Sequence, residues 1–503
     1  MKKMVSLSLI VVSFLVVFTS CSETEYITEQ ADNLSPSCVI VTPVPDTVIE
    51  KGQSLDITAE ADDSDGFITE VRFYIQGDLT ASDKDSPYSF GFETAGLASG
   101  SYKIRTEALD NDGGRTSDSL EVFVNSFPEC SIFYPSHDSY FFTGTEIEIK
   151  ATAYDEESSK HVSTVTFSID GTVIAQDAIY PYSAVWTMTQ GSHLITAEVT
   201  DDTGSVLTDS IEVHQNYVVH FEDPMFEQVI RRDFLRPEGD LYASYFGDVT
   251  DYSVFNEDIT DISGIESFRS LEILMLNSNQ ITDITPLKDL KNIYILSLNS
   301  NLISDISALS GLTMLIELQL SNNNITDITK LSGLTKLQVL ILSQNDITGL
   351  EVLKEFKDLY YLQLAYCGLD DISDLSPLTG LTYLSLQFNS ITDISPLSSL
   401  GKLTELAIFN NSIEDITALS GMTSLQSLYM RYNQISDISP LKYLKKIDLL
   451  FMENNRITDI YPLLLNDGLD FGDMVALNNN TLDSLSVNLY IPFLTDRGVS
   501  VSW

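Results

Sequence analysis

The sequence predicts a multidomain chain: two all-β sandwiches followed by a solenoid of stacked repeats. Three observations predict it. Two segments of about 90 residues echo one another. Each of them consists of short runs of alternating apolar and polar residues, separated by Gly, Asp, Ser and Pro turns. From Val249 onward a pattern of Leu, Asn and Ile then recurs every 22 residues. At 503 residues the chain is too long for a single hydrophobic core.

Residues 1–21 are a targeting segment rather than part of a fold. Lys2 and Lys3 give a positive start, and Met4 to Val17 is an apolar run too short for a stable span. Phe18-Thr19-Ser20-Cys21 then resembles a bacterial lipobox, with Phe18 and Ser20 in place of the usual Leu and Gly or Ala. The resemblance implies that Cys21 is lipidated and anchors the chain. The alternative is an ordinary secretory signal cleaved near Ser20. Glu23 and Glu25 follow the cysteine. In lipoproteins of some bacteria such acids accompany export, so the outer membrane, facing outward, is the expected location. Residues 22–37 are polar and patternless and are expected to form a flexible tether of at most roughly 50–55 Å.

Residues 38–125 and 129–214 are the expected sandwiches. Asp56-Ile57-Thr58-Ala59-Glu60-Ala61 in the first is answered by Glu148-Ile149-Lys150-Ala151-Thr152-Ala153 in the second. Ser86-Pro87-Tyr88-Ser89 is answered by Tyr180-Pro181-Tyr182-Ser183. Glu107-Ala108-Leu109-Asp110 is answered by Glu198-Val199-Thr200-Asp201. Both segments resemble bacterial immunoglobulin-like domains, which implies a spacer role worth roughly 30–40 Å of reach each. Cys38 and Cys130 stand at matching places and are expected to be buried thiols of a first strand rather than a disulfide. The junction Gln215–Phe221 has no Gly- or Pro-rich run, so limited flexibility is expected there.

Residues 221–503 are the expected solenoid. Its first full copy reads Leu271-x-x-Leu274-x-Leu276-x-x-Asn279-x-Ile281-x-Asp283-Ile284-x-x-Leu287-x-x-Leu290. Leu274 and Leu276 alternate inward from a short strand, and Ile281, Ile284, Leu287 and Leu290 fill the same core on the way back. One copy cannot bury that face alone, so copies must stack. Asn279 recurs through Asn301 and Asn323 to Asn480, and an amide that both donates and accepts can bridge adjacent coils. Glu257 and Cys367 take that slot in their copies. Asp283 recurs as Asp305, Asp327, Asp371, Asp393, Asp415, Asp437 and Asp459, where a short carboxylate can cap the outer turn. Gly349 breaks that rule for no reason visible in the sequence. The repeats resemble the 22-residue leucine-rich repeats of internalin-like bacterial proteins. Asp223-Pro224-Met225-Phe226 opens an N-terminal helical cap, and Leu489–Trp503 looks like the closing unit. The resemblance implies a parallel sheet on the concave face, turns and short 3-10 segments on the convex face, and a binding or adhesive role.

Positions three, five and seven of each copy face the concave side, and position eight lies just beyond. Early copies place Ile273, Met275, Ile295, Val339 and Ile341 there. Later copies place Tyr361, Tyr366, Tyr383, Phe388 and Phe409, then Tyr429, Tyr432 and Phe451. Glu405, Arg431, Glu453 and Arg456 stand among them. Rings with a few charges on an exposed sheet have the composition of a binding hot spot. The competing reading is β-propensity alone; the regional bias favours a ligand site. A protein ligand is expected, and a glycan is the alternative because ring faces also stack on sugars.

Acids outnumber bases 73 to 27, for a net charge of −46, which excludes nucleic acid and anionic lipid headgroups as partners. The membrane is expected to be reached only through the lipid anchor, and a monomer is expected. Asp62, Asp63 and Asp65 in one turn and Asp110 and Asp112 in another at the same pole are the one candidate metal set, for calcium. The second sandwich has Asp155, Glu156, Glu157, Asp201 and Asp202 in matching places. Ordinary turn chemistry is the competing reading. No other cofactor is expected. The five histidines all precede the repeats, and no nucleophile, zinc-protease or phosphate-loop motif occurs, so catalysis is not expected.

Overall fold

The computed structural model describes residues 33–155, 162, 164–201 and 203–503. Cys21 and the rest of the targeting segment, together with Glu156, Glu157 and Asp202, lie outside the described residues.

Eight strands build the first sandwich: β1 (Ser37–Thr42), β2 (Thr47–Glu50), β3 (Ser54–Asp62), β4 (Ile68–Ile75), β5 (Asp78–Asp83), β6 (Tyr88–Glu93), β7 (Gly100–Asp110) and β8 (Arg115–Asn125). They form one sheet in the order β1-β3-β6 and another in the order β2-β8-β7-β4-β5. Alternation puts Ile57, Val71, Phe73, Ile104, Ala108 and Val124 in the core with no solvent exposure. The second sandwich repeats the plan with β9 (Glu129–Tyr134), β10 (Ser139–Phe142), β11 (Glu146–Tyr154), β12 (Val165–Ile169), β13 (Thr172–Asp177), β14 (Tyr182–Thr187), β15 (Ser192–Thr200) and β16 (Val206–Asn216). Its sheets are ordered β14-β11-β9 and β10-β16-β15-β12-β13, the same topology shifted by eight strands. The three cysteines among the described residues are unpaired. Cys38 is buried in β1 as expected, but Cys130 in β9 is only half-buried.

Each sandwich holds its own start in the same way. Asn33 Nδ2 donates to Asp110 Oδ2 at 3.1 Å, and Asn125 Nδ2 donates to Asp201 Oδ2 at 3.1 Å. In both cases an amide ahead of the first strand meets the aspartate at the end of the seventh.

The solenoid opens with helix α1 (Pro224–Asp233), whose N-cap Asp223 accepts from the N–H groups of Met225 and Phe226. Phe226, Val229 and Ile230 seal the first coil. Twelve three-residue strands follow, from β17 (Asp251–Ser253) and β18 (Ile273–Met275) to β27 (Met474–Ala476) and β28 (Ser500–Ser502), in one parallel sheet in strict chain order. Leu274, Leu276, Ile281 and Leu287 have no exposure, and their counterparts are buried. The asparagine ladder is built as its donors and acceptors require. Asn301 Nδ2 donates to Leu276 O and Leu298 O at 3.0 Å each, while its Oδ1 accepts from Ile281 N at 3.1 Å. Every such amide thus joins its own coil to the one before. At Cys367 the ladder lapses: the sulfur sits 3.5 Å from Leu342 O, and Ile347 N turns instead to Cys367 O at 3.3 Å. Glu257 does not reach inward; it pairs with Arg232 at 2.7 Å.

The outer aspartates cap as expected. Oδ1 of Asp283, Asp305, Asp393 and Asp437 each accepts from the N–H two residues on, at 2.7–2.8 Å. The structure supplies the reason for Gly349. Its φ is +82°, and a Cβ there would stand 2.9 Å from Thr329 Cγ2, so a side chain is excluded both by backbone conformation and by space.

Two compact units result. The first comprises the chain up to Tyr134 with Glu148–Ala184 and Ile195–Ser210; the second comprises Pro135–Ile147, Val185–Leu194 and Ile211–Trp503. Within the second unit, Tyr140 and Tyr217 pack on the solenoid core. No helix among the described residues is long and apolar enough to cross a membrane.

Candidate functional site on the concave face

From Asp251 to Phe451 the concave sheet is in register, so a residue lies beside its counterpart 22 positions away: Tyr361 by Tyr383, Glu405 by Ser427, Tyr429 by Phe451. Adjacent strands sit about 4.8 Å apart, close to the thickness of two stacked rings. Tyr361 and Tyr383 (β22, Tyr361–Gln363; β23, Tyr383–Ser385) accordingly stack with centroids 4.1 Å apart and planes within 8°. Position eight has positive φ at Tyr366, Phe388 and Tyr432 (55°, 59° and 56°), which swings those side chains to the rim of the sheet. There Tyr366 and Phe388 stack at 4.0 Å and 10°. Phe388 meets Phe409 edge-on at 5.3 Å, and the Arg431 guanidinium lies 4.6 Å above the Phe409 ring. Tyr429 and Phe451 stack at 5.3 Å.

The rings thus form three contacting groups between Tyr361 and Phe451, with an exposed rim: Tyr366 is 48% exposed, Phe388 37% and Tyr432 51%. The floor is half-buried. Burial, with Tyr361 and Glu405 beside it, pushes the Tyr383 hydroxyl up to about 12. Gln363 Nε2 donates to the Tyr361 hydroxyl at 2.5 Å. Burial also raises the Glu405 carboxyl above the usual range. Glu453 Oε2 is shut off from solvent and has no hydrogen-bond partner, so one acceptor in the patch awaits a donor.

Arg456 is the tenth residue of its copy, just beyond the ladder residue Asn455; its N–H donates to Ile435 O and it is exposed. Asn410, Asn454, Asn478 and Asn479 line the hollow beside Phe388, Phe409, Arg431 and Glu453. The sequence carried a signal for the last two. The ladder spacing lengthens from 22 residues to 25 between Asn455 and Asn480, and Phe451 pairs with Ala476.

Two acidic groups elsewhere were weighed as metal sites. Asp138, Glu212 and His214 offer atoms within 4.8 Å of one another. His214 Nδ1 faces Arg269 Nη1 at 2.8 Å, and a guanidinium only donates. The proton of His214 is thereby fixed on Nε2, which faces Asp138 Oδ1 at 3.1 Å. His137 Nδ1 accepts from Glu212 N at 2.9 Å, which fixes its proton on Nε2 as well. Neither imidazole keeps a lone pair for a metal. In the first sandwich, Asp62 and Asp112 are exposed; Ser37 Oγ donates to the Asp62 carbonyl, and Asp112 accepts from Asn111 Nδ2 at 2.8 Å. Asp65 is exposed as well and accepts from Leu34 N at 3.1 Å, whereas Asp63 is half-buried and Asp110 buried.

Comparison with known proteins follows this geometry. A bacterial immunoglobulin domain family matches residues 36–105 and 128–211, and leucine-rich repeats match 269–311, 313–351, 379–421 and 423–465. The chain carries two bacterial immunoglobulin domains followed by leucine-rich repeats. Similar solved structures include an internalin of Listeria monocytogenes, 32% identical, TM-score 0.49, covering 56% of this chain and 91% of that one. A leucine-rich-repeat protein of Leptospira interrogans is 18% identical, TM-score 0.41, over 48% of this chain and 74% of that one. A curated relative, the long isoform of an ulvan lyase from an Alteromonas species, is 29% identical over 144 residues, which is 25% of this chain and 14% of that protein. The chain thus spans about one seventh of that relative. Leucine-rich-repeat folds present extended concave surfaces, generally used for protein–protein binding.

Proposed function

We propose that this chain is a non-catalytic adhesion lipoprotein of the bacterial outer membrane. It is anchored through Cys21, and it captures a protein ligand on the ring cluster between Tyr361 and Phe451. The observation that carries this reading is the gathering of those rings, with Arg431 and two glutamates among them, on an otherwise polar and aliphatic sheet. It favours protein over glycan for a geometric reason. A sugar stacks on an open ring face, yet Tyr361–Tyr383 and Tyr366–Phe388 close their faces on each other at 4.0–4.1 Å, one van der Waals thickness. What remains is the outer faces and edges of those rings, the half-exposed Tyr432, hydroxyls, the carboxylates of Glu405 and Glu453, and the Arg431 guanidinium. Those groups suit a partner that brings apolar side chains and N–H donors, basic ones above all, as the net charge of −46 also favours.

The test presents the purified chain to a display library of folded protein domains and, in parallel, to a glycan array. The control is the triple variant Tyr366→Ala, Phe388→Ala, Tyr432→Ala. Its three rings are the exposed ones, so the fold is expected to tolerate their loss. Protein binders that the triple variant loses, with a silent array, are the expected result. Array signals abolished in the triple variant would transfer the site to glycans. Protein binders indifferent to the triple variant would place the site elsewhere.

A further inference from the structure

We infer that the first sandwich carries a calcium site, built on Asp63 with Asp65 and the side-chain oxygen of Asn111. The deciding group is Asp63. Both of its carboxylate oxygens are shut off from solvent, and neither finds a hydrogen-bond partner. The charges that act on it come from Asp65 and Asp110 and are both negative. A carboxylate sealed from water without donors is costly, and it resolves either by taking up a proton or by holding a cation. The surroundings favour the cation. A methyl group at Gly66 would collide with Asp63 Oδ2 and Asn111 Oδ1 alike, so these two oxygens converge on one small space that the glycine keeps open.

The donor chemistry selects the ion. The groups gathered here are oxygens, which excludes the nitrogen and sulfur preferences of zinc. Three side-chain donors on loops set no octahedral frame of the kind magnesium demands, whereas calcium accepts six to eight oxygens, water among them, in irregular geometry. The ion would also act on the chain ahead of β1. Leu34 N donates to Asp65 Oδ2 and Asn33 Nδ2 to Asp110 Oδ2, both at 3.1 Å, so the loop that holds the ion also holds the start of the sandwich.

The second sandwich supplies an internal contrast. Asp201, the counterpart of Asp110, has its oxygens filled by Asn125 Nδ2 and by the N–H groups of Thr203 and Ser205. Asp155, the counterpart of Asp63, is buried, yet it is not among the orphaned carboxylates of the described residues.

The experiment uses the full chain stripped with EGTA, with equilibrium dialysis against calcium up to about 1 mM, the weak end of protein calcium affinities, and calorimetric melting with and without the ion. One calcium per chain is expected, with a rise in the first melting transition that equal magnesium does not reproduce. Asp63→Asn should abolish binding while melting, without calcium, no lower than the parent, because the substitution removes an uncompensated charge. Asp65→Asn should weaken binding, and Asp155→Asn should leave it unchanged. No saturable binding by the parent chain would overturn the inference, as would binding that survives Asp63→Asn or is lost in Asp155→Asn.

Discussion

From Ile273 to Ile341 the concave sheet carries aliphatic and small polar side chains; from Tyr361 to Phe451 it carries rings. The backbone beneath does not register the change. Strand pairing is in register on both sides, the leucines below are equally buried, and the ladder amides make the same bonds at Asn301 as at Asn433. The only irregular place is the boundary itself, where Cys367 interrupts the ladder and Gly349 replaces an aspartate. The comparison shows that architecture and recognition are written in different residues of the same repeat. Substitutions in the first set should therefore cost stability equally in both halves, and substitutions in the second set should cost binding in one half alone.

The sharpest way to break that separation is in the core. Leu318→Ala and Leu384→Ala, one in each half, should each destabilise by about 2–5 kcal/mol. Phe388→Ala, on the rim above Leu384, should cost about 1 kcal/mol or less, as is usual at exposed positions. Urea unfolding of the three variants measures it. A loss at Phe388 as large as at Leu384 would show the rings to be part of the scaffold.

The ladder comes next. Asn323→Ala and Asn411→Ala remove amides that join neighbouring coils and leave the N–H groups of Ile303 and Ile391 without their acceptors. About 1–3 kcal/mol is expected for each, and the two should agree. Cys367→Ala should cost less than either, since no amide is lost there. Gly349→Ala should cost about 1–2 kcal/mol, the penalty of a Cβ in a left-handed conformation. A neutral result in the same unfolding measurement would mean that the boundary relaxes.

The smallest expected effect is on acid stability. Asp305 and Asp393 are held below the usual carboxylate range by the N–H and hydroxyl of Ser307 and Ser395, and Asp327 by the hydroxyl and N–H of Thr329. A depressed folded value means that stability is fully present above the unfolded value, near about 3.9, and is lost as pH falls through the lower folded values. Urea midpoints should hold above about pH 5 and decline toward pH 3. Because these groups are exposed, Asp393→Asn should flatten that decline only slightly.

Much of this was legible in the residues because a solenoid is local. Each leucine, each ladder amide and each capping aspartate does its work within one coil or against the next, so a period of 22 residues with inward Leu274 and Leu276 fixes the fold class, the core and the helix that Asp223 caps. The sandwiches were legible for a related reason: alternation within a strand is enough to say which side is buried.

Only the tertiary structure decided the rest. It closed the faces of Tyr361 and Tyr383 on each other, left an oxygen of Glu453 without a donor, and separated Asp63 from the neighbouring Asp62 as the carboxylate sealed from water. Each of these depends on the distance between side chains from different strands and on the water excluded between them. Exclusion of water is a property of the packed assembly, and no spacing along the chain encodes it.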